Sequence, residues 1–265
     1  MAARIEKLSS DIAWSTQDRI VVKGQDLCGD LLGKQSLGDV AFLILTDRLP
    51  DEHESVMFNA LAVTLIEHGM TPSAIATRMT VTGAPEAMQA AIAAGLAGLG
   101  SVFVGSMETA AHLLQDAIPD PDQPVDVDAV AGAVVAELRS RKAQVPGIGH
   151  PVHKPVDPRA VRLFEIAEQT GFSGPYVALM KRIADLAGER AGKELPVNAT
   201  GAIASIASEM GISWTVIRGI GVISRCIGLV GHVREELTNP IAREITARVS
   251  RETSADAISA SEQRG

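Results

Sequence analysis

The sequence predicts an all-α protein, and three observations carry that prediction. Hydrophobic residues fill 46% of the 265 positions while aromatics fill only 3%, so the core has to come from Ala, Leu, Ile and Val, whose compact side chains let helices approach closely. Apolar residues recur at helical spacing between residues that start and stop helices. Strand-type alternation never persists beyond a few residues. A chain of this length buries a substantial core as one large domain or two lobes. Its formal charge of −8 and pI near 5.3 argue against nucleic acid or an anionic membrane as a partner.

Taken in order, Gly24 to Pro50 reads as a glycine-punctuated stretch, then a helix and a Leu-Pro turn. Met57, Leu61, Leu65 and His68 share one helical face with Gly69 as the stop, which makes His68 the inward-facing last residue of an amphipathic helix. Gly83-Ala84-Pro85 opens a helix from Pro85 to about Gly98 whose face is almost wholly Ala, Met, Ile and Leu. The acidic, proline-rich run Pro119 to Pro124 reads as a linker. Asp126 to Arg141 returns to helical period and ends in basic residues, the polarity that suits the helix dipole. Beyond Arg159 a helix carries Val161, Phe164, Ile166 and Ala167 to a stop at Gly171, and another spans Tyr176 to Ala191. Trp214 to Leu237 is the long final core helix, with Arg225 and His232 on one face. Arg218, Arg225 and His232 interrupt its apolar run, which favours a core helix over a membrane span. After Val249 the chain reads as a polar tail, mobile or wrapped on a partner subunit. Cys28 and Cys226 lie in apolar contexts and read as buried free thiols. The start MAARIEKLSS has no apolar secretory core, so a cytoplasmic location is expected.

The most informative stretch is Pro146 to Arg159, PGIGHPVHKPVDPR. Gly147 and Gly149 let the backbone approach a ligand closely. Asp157-Pro158 is an N-cap followed by proline at the first helical position. Arg159 therefore falls in the first turn, where its fork of donors and the backbone N–H groups suit a carboxylate or phosphate. With His150, His153 and Lys154 the stretch forms a small-anion site that contains an acid/base.

This stretch resembles the G-x-G-H-x-V…D-P-R segment of the citrate synthase superfamily, which supplies a catalytic histidine and a citrate-binding arginine. The resemblance makes His150 that histidine and Arg159 that arginine. Three further segments match in family order: GQDLCGDLLGKQSLGDVAFLILTDRLP from Gly24, TLIEHGMT with His68, and SRCIGLVGHVRE with Arg225 and His232. Together they span roughly Gly24 to Arg243. Within the superfamily the likeness is greatest to citryl-CoA lyases and the C-terminal lyase module of ATP-citrate lyase. Citrate synthases proper carry a histidine in a G-P-x-H-G-G segment where this chain has Phe103, and lyase-type members also lack it.

The resemblance implies a citrate-synthase-like fold, a large helical domain from residues 1–104 and 209–265 with a smaller helical domain, 105–208, inserted. It implies a homodimer and a cleft with His68 and Arg225 on one side and His150 and Arg159 on the other. The implied reaction is retro-Claisen cleavage of citryl-CoA, or a related acyl-CoA, to acetyl-CoA and oxaloacetate. His150 would take the hydroxyl proton. Arg159 and Arg225 would clamp the carboxylates of the di- or tricarboxylate, with His68 and His232 assisting and Arg243 contributed from the tail. Gly147, Gly149, His153 and Lys154 would meet the coenzyme A thioester, which enters as substrate; no tightly bound cofactor and no metal is implied.

One residue departs from the family. Its N-x-D-G segment holds an aspartate that exchanges a proton with the acetyl methyl carbon, and the matching text here, VNATGAIAS, has Thr200 in that place. A threonine hydroxyl is no carboxylate base, although it serves equally as N-cap for a helix from Gly201 to Met210. Two alternatives to a lyase therefore stand. One is a citrate-synthase-like condensing acyltransferase, against which Phe103 speaks. The other is a non-catalytic module that binds acyl-CoA or a tricarboxylate, for which Thr200 speaks.

Overall fold

The computed structural model describes residues 8–149 and 155–262, and it is all-α apart from one small meander near the N-terminus. There β1 (Ala13–Ser15), β2 (Ile20–Val22) and β3 (Gln25–Asp26) pair antiparallel. Strands of two or three residues are too short to leave an alternating pattern, which is why the sequence conceals them. Asp26 takes the Arg19 guanidinium at 2.8 Å and caps a π-helical turn, Leu27–Leu31, by accepting the N–H groups of Cys28 and Gly29. Cys28 and Cys226 are both free thiols, but neither is fully buried: Cys226 is half-buried, and Cys28 is exposed on this turn because the turn's inward position goes to Leu31.

Eleven α-helices follow among the described residues: α1 (Leu37–Thr46), α2 (Glu52–Ile66), α3 (Pro72–Gly83), α4 (Met88–Ala97), α5 (Gly105–Ala117), α6 (Val127–Ser140), α7 (Pro158–Thr170), α8 (Pro175–Ala191), α9 (Ala199–Glu209), α10 (Trp214–Thr238) and α11 (Ala242–Glu262). Their starts follow local chemistry. Ser36 and Asp39 form a reciprocal capping box on α1, Asp126 caps α6, and Thr71 with Pro72 opens α3. The helix expected from Pro85 begins at Met88, without a side-chain cap. The polar tail is helical: α11 runs through Val249 to Glu262.

The chain divides into two compact units, Met1–Thr64 with Ser106–Ile217, and Leu65–Gly105 with Arg218–Gly265. In the first, α5, α6 and α8 enclose a core of Leu114, Val134, Val135, Leu179, Met180 and Ile183. Tyr176, buried beside them, donates its hydroxyl to the Ile118 carbonyl at 2.8 Å, so its polar end is satisfied. The start of α8 has no side-chain cap of its own. Glu209, at the end of α9, supplies one by accepting the Val177 N–H at 2.9 Å. In the second unit α3 and α4 pack around Val81 and Ala91 with Val233 of α10. Of the described helices α10 alone has the length and apolarity to cross a membrane, yet Ile220, Leu229 and Val233 are all but fully buried in the protein.

The closeness of α3 and α4 is set by Gly95. A Cβ there would lie 2.1 Å from Thr77 Oγ1, 2.7 Å from Leu229 Cδ1 and 2.9 Å from the Ser73 carbonyl. Gly95→Ala is therefore expected to lower stability by ~1–3 kcal/mol, the range for overpacking a filled core. Gly231→Ala, where nothing lies within 4 Å, is the control and should keep or raise the midpoint because alanine favours helix. Urea unfolding of the two variants checks this, and equal midpoints would refute the packing argument.

Candidate active site

In the first unit two helix starts and a glycine loop converge. Asp157, 1% exposed, caps α7 by accepting the Arg159 N–H at 3.0 Å, and its two oxygens also receive Arg159 Nε at 3.0 Å and Nη2 at 2.8 Å. Its Oδ2 accepts a fourth donor, the Ala199 N–H at the first position of α9, at 3.0 Å. One carboxylate thus joins the positive ends of two helices to a guanidinium. Burial alone would push its pKa up, but the Arg159 side chain and the N–H groups of Ala199 and Arg159 outweigh that and hold it at about 2. The anion site expected at the start of α7 is consequently filled from within the chain as far as the Arg159 N–H and the Nε/Nη2 edge are concerned. Arg159 also lines a cleft of about 400 Å³ with Arg162, Val63 and Thr64.

Asn198 does the same for α9 and the loop. Its Oδ1 accepts the N–H groups of Thr200 and Gly201, its Nδ2 donates to the Gly149 carbonyl at 2.7 Å, and its backbone N–H donates to the Gly147 carbonyl at 3.0 Å. Gly149 N–H returns a bond to the Pro196 carbonyl at 2.7 Å. Gly147 (φ +82°) and Gly149 (φ +71°) occupy the left-handed region that favours glycine. The backbones are so close that a Cβ on Gly201 would lie 2.2 Å from the Gly147 carbonyl. The loop up to Gly149 is thereby pinned to α9; His150, His153 and Lys154 lie outside the described residues.

The N-cap of α9 is Asn198, not Thr200. Thr200 is the second helical residue, half-buried, and its hydroxyl is fully engaged: it donates to Asn198 Oδ1 at 2.7 Å and accepts from Ser106 Oγ at 3.2 Å. The cap moved because an asparagine two residues upstream can reach both orphan N–H groups, whereas Thr200 already has helical backbone. A cavity of about 800 Å³ borders the same region, running along α8 from Lys181 and past its end to Lys193, and walled by Val156, Leu195 and Val197.

The second unit holds the remaining residues. His68 lies two positions beyond the end of α2 and is exposed, not the inward last residue of the helix, since α2 stops at Ile66. Its N–H donates to Glu67 Oε1 at 2.8 Å. The seven-residue spacing on α10 does bring Arg225 and His232 together: they face the Glu67 carboxylate, with Arg225 Nη1 3.7 Å from Oε1 and His232 Nε2 3.1 Å from Oε2. Both nitrogens are buried, and neither makes an aligned hydrogen bond among the described residues. Burial works against the charge on Glu67, yet the N–H of His68, with His232 and Arg225, keeps its pKa below the usual value. Phe103 is exposed just before α5, and Arg243 is exposed in the first turn of α11. No cluster of His, Cys, Asp or Glu able to hold a metal occurs among the described residues.

Sequence reading missed Asp157 as Arg159's partner, Asn198, Ser106 and Glu67, although Asn198 and Glu67 stand inside the very segments it singled out. It also missed Arg78, a lone cation on the buried face of α3, whose Nε donates to His232 Nδ1 at 3.0 Å. Its place at helical spacing from Ala74 and Val81 was the available signal.

Residues 34–246 match the family described as citrate synthase, C-terminal domain. Among solved structures the chain is similar to citryl-CoA lyase from Hydrogenobacter thermophilus, at 36% identity and a TM-score of 0.79 over 89% of this chain and 88% of that one. It shares its fold with ATP citrate lyase from Methanothrix soehngenii, solved in complex with citrate and coenzyme A, at 20% identity and a TM-score of 0.73 over 89% of this chain and 40% of that one. It is 25% identical over 206 residues to alkylcitrate synthase tstJ of Talaromyces stipitatus, 73% of this chain and 44% of that protein. The chain spans under half the length of the curated relatives it matches.

Asp157 makes a prediction in pH. Its folded-state value of about 2 lies below the ordinary 3.8, so its stabilisation is fully present above about pH 4 and is lost as pH falls through about 2, an effect of ~2 kcal/mol. Asp157→Asn should be less stable than wild type at neutral pH, and its urea midpoint should fall less steeply over that acid range. Parallel profiles would remove Asp157 from the acid response.

Proposed function

The chain belongs to the citrate synthase family, and we propose that within it the protein is a citryl-CoA lyase-like enzyme, cleaving citryl-CoA or a related acyl-CoA to acetyl-CoA and oxaloacetate. The observation that carries this reading is the likeness to a citryl-CoA lyase over nearly nine-tenths of both chains. The coenzyme moiety is assigned to the 800 Å³ cavity beside α8, which is of ligand size. Its apolar residues Val156, Leu195 and Val197 suit a pantetheine arm, and Lys181 and Lys193 line it as cations for phosphates, beside the acidic Asp185, Glu189 and Glu194. The loop pinned at Gly147 and Gly149 borders the start of α9, and in this reading the next residue, His150, serves the thioester end.

In this reading His150 takes the proton of the citryl hydroxyl. As the alkoxide becomes the ketone of oxaloacetate, the adjoining C–C bond breaks and its electron pair moves onto the thioester as an enolate, which takes a proton on carbon from water while the proton on His150 returns to solvent. Arg159 and Arg225 hold carboxylates, with His68 and His232 assisting, and Arg243 is the weakest member of the set. Thr200 stands where the family resemblance puts the carbon acid/base. Its only proton is committed to Asn198, and its oxygen is already an acceptor for Ser106, so it neither removes nor delivers a carbon-bound proton without breaking that chain. This favours a second reading, a non-catalytic module that binds acyl-CoA or a tricarboxylate. Assembly as a homodimer is supported by the exposed apolar row Ile223, Ile227 and Val230 on α10.

The test is incubation with synthetic citryl-CoA while oxaloacetate and acetyl-CoA are followed. Cleavage in the wild type and its loss in a folded His150→Ala variant are expected; equal rates would exclude His150. Arg159→Ala and Arg225→Ala should each weaken citrate affinity in calorimetry, by ~2–5 kcal/mol if the charge they pair with is buried. Thr200→Asp should raise cleavage tenfold or more, within the ~10²–10⁴-fold that acid/base groups contribute, because an acidic side chain is favoured in the first turn of α9. No cleavage in wild type and no gain in a folded, acetyl-CoA-binding Thr200→Asp protein would put the binding module ahead.

A further inference from the structure

We propose that Arg78 is a positioning residue for His232, fixing the imidazole as its Nε2–H tautomer so that this nitrogen is a standing donor beside Arg225 Nη1 and facing Glu67. Arg78 is 2% exposed and donates Nε–H to His232 Nδ1 at 3.0 Å. A guanidinium has five donors and no acceptor, so Nδ1 must offer its lone pair, and the single proton of the neutral ring belongs on Nε2.

What holds Arg78 does not depend on the histidine. Its Nη1 donates to Glu236 Oε2 at 2.9 Å, and its Nη2 donates to Glu235. The other oxygen of Glu236 accepts the N–H groups of Ile241 and Ala242, each at 2.9 Å, where α11 begins. The guanidinium is therefore anchored by the last turns of α10, where Glu236 also holds the start of α11, and reaches across from α3 to orient the ring. Around the ring stand Arg78, Glu67, Arg225, Glu235 and Glu236, with His68 next to Glu67. Nε2–H and Arg225 Nη1 then face Glu67 side by side, both buried and neither with an aligned acceptor. Buried donors left open in this way are a defect in a core and an asset in a site that takes a ligand oxygen.

The use of that donor for a ligand carboxylate rests on the proposed function; the tautomer does not. Long-range proton–nitrogen correlation spectra of protein labelled in its histidine rings test the tautomer, with the His232 signals identified by their loss in His232→Gln. A bare Nδ1 and a protonated Nε2 are expected in the wild type, and a mixture of tautomers in Arg78→Met. A protonated Nδ1 in the wild type overturns the proposal with no variant needed. Calorimetry with citrate tests the use: Arg78→Met should weaken affinity about tenfold, the worth of one hydrogen bond, yet cost nothing further in a His232→Gln background. Additive losses would mean that Arg78 acts on the fold rather than through His232, and would overturn the positioning role. A wild type that binds no citrate, with the Nε2–H tautomer present, would sink the carboxylate pocket and leave Arg78's hold on the ring standing.

Discussion

A buried carboxylate in the first unit, Asp157, is the interaction on which the candidate site there depends. Taking an ion out of water costs several kcal/mol, and an acid in this place survives as an anion only because every lone-pair direction finds a donor. Two come from helix starts and two from one guanidinium. The helix dipoles add to the effect, since both α7 and α9 turn their positive ends toward it. The consequence is geometric. The angle between α7 and α9, the orientation of Arg159 and the position of Ala199 are settled together, and Asn198 extends the same bracing to Gly147 and Gly149.

The second unit uses the same device with a different outcome. Glu236 is buried, caps α11 and receives Arg78, whose Nε passes the order on to His232. Around Asp157 and Asn198 the hydrogen bonds close on themselves, which is what a brace requires. Around Glu67 they do not: Arg225 Nη1 and His232 Nε2 come near a carboxylate without completing a bond. Closed networks hold the shape of the molecule, and open ones at equal burial mark where a ligand oxygen would complete it.

Thr200 belongs to the closed class. Its hydroxyl lies between Ser106 and Asn198, and this saturation sets it apart from a group poised for proton transfer. The chemistry proposed for the protein therefore weighs on His150 and the arginines rather than on the start of α9.

Local patterns decided much of this protein in advance. The low aromatic content with abundant Ala, Leu, Ile and Val, the capping residues Asp126 and Asp157, and the stop at Gly171 announce helices because each depends only on neighbours within a turn or two. The motifs around Gly147, Arg159 and Arg225 announced the family for the same reason: their spacing is written along the chain. The seven-residue step from Arg225 to His232 was likewise sufficient to place both on one face. The tertiary structure alone decided which polar groups meet across long separations. Arg159 is paired by its own neighbour Asp157, but that acid's hold on Ala199, the Ser106–Thr200 bond and the Arg78–His232 bond join residues about 40 to 150 positions apart. No local rule reports such pairings, because burying a charge or a hydroxyl has meaning only once packing has removed water and left a particular donor within reach.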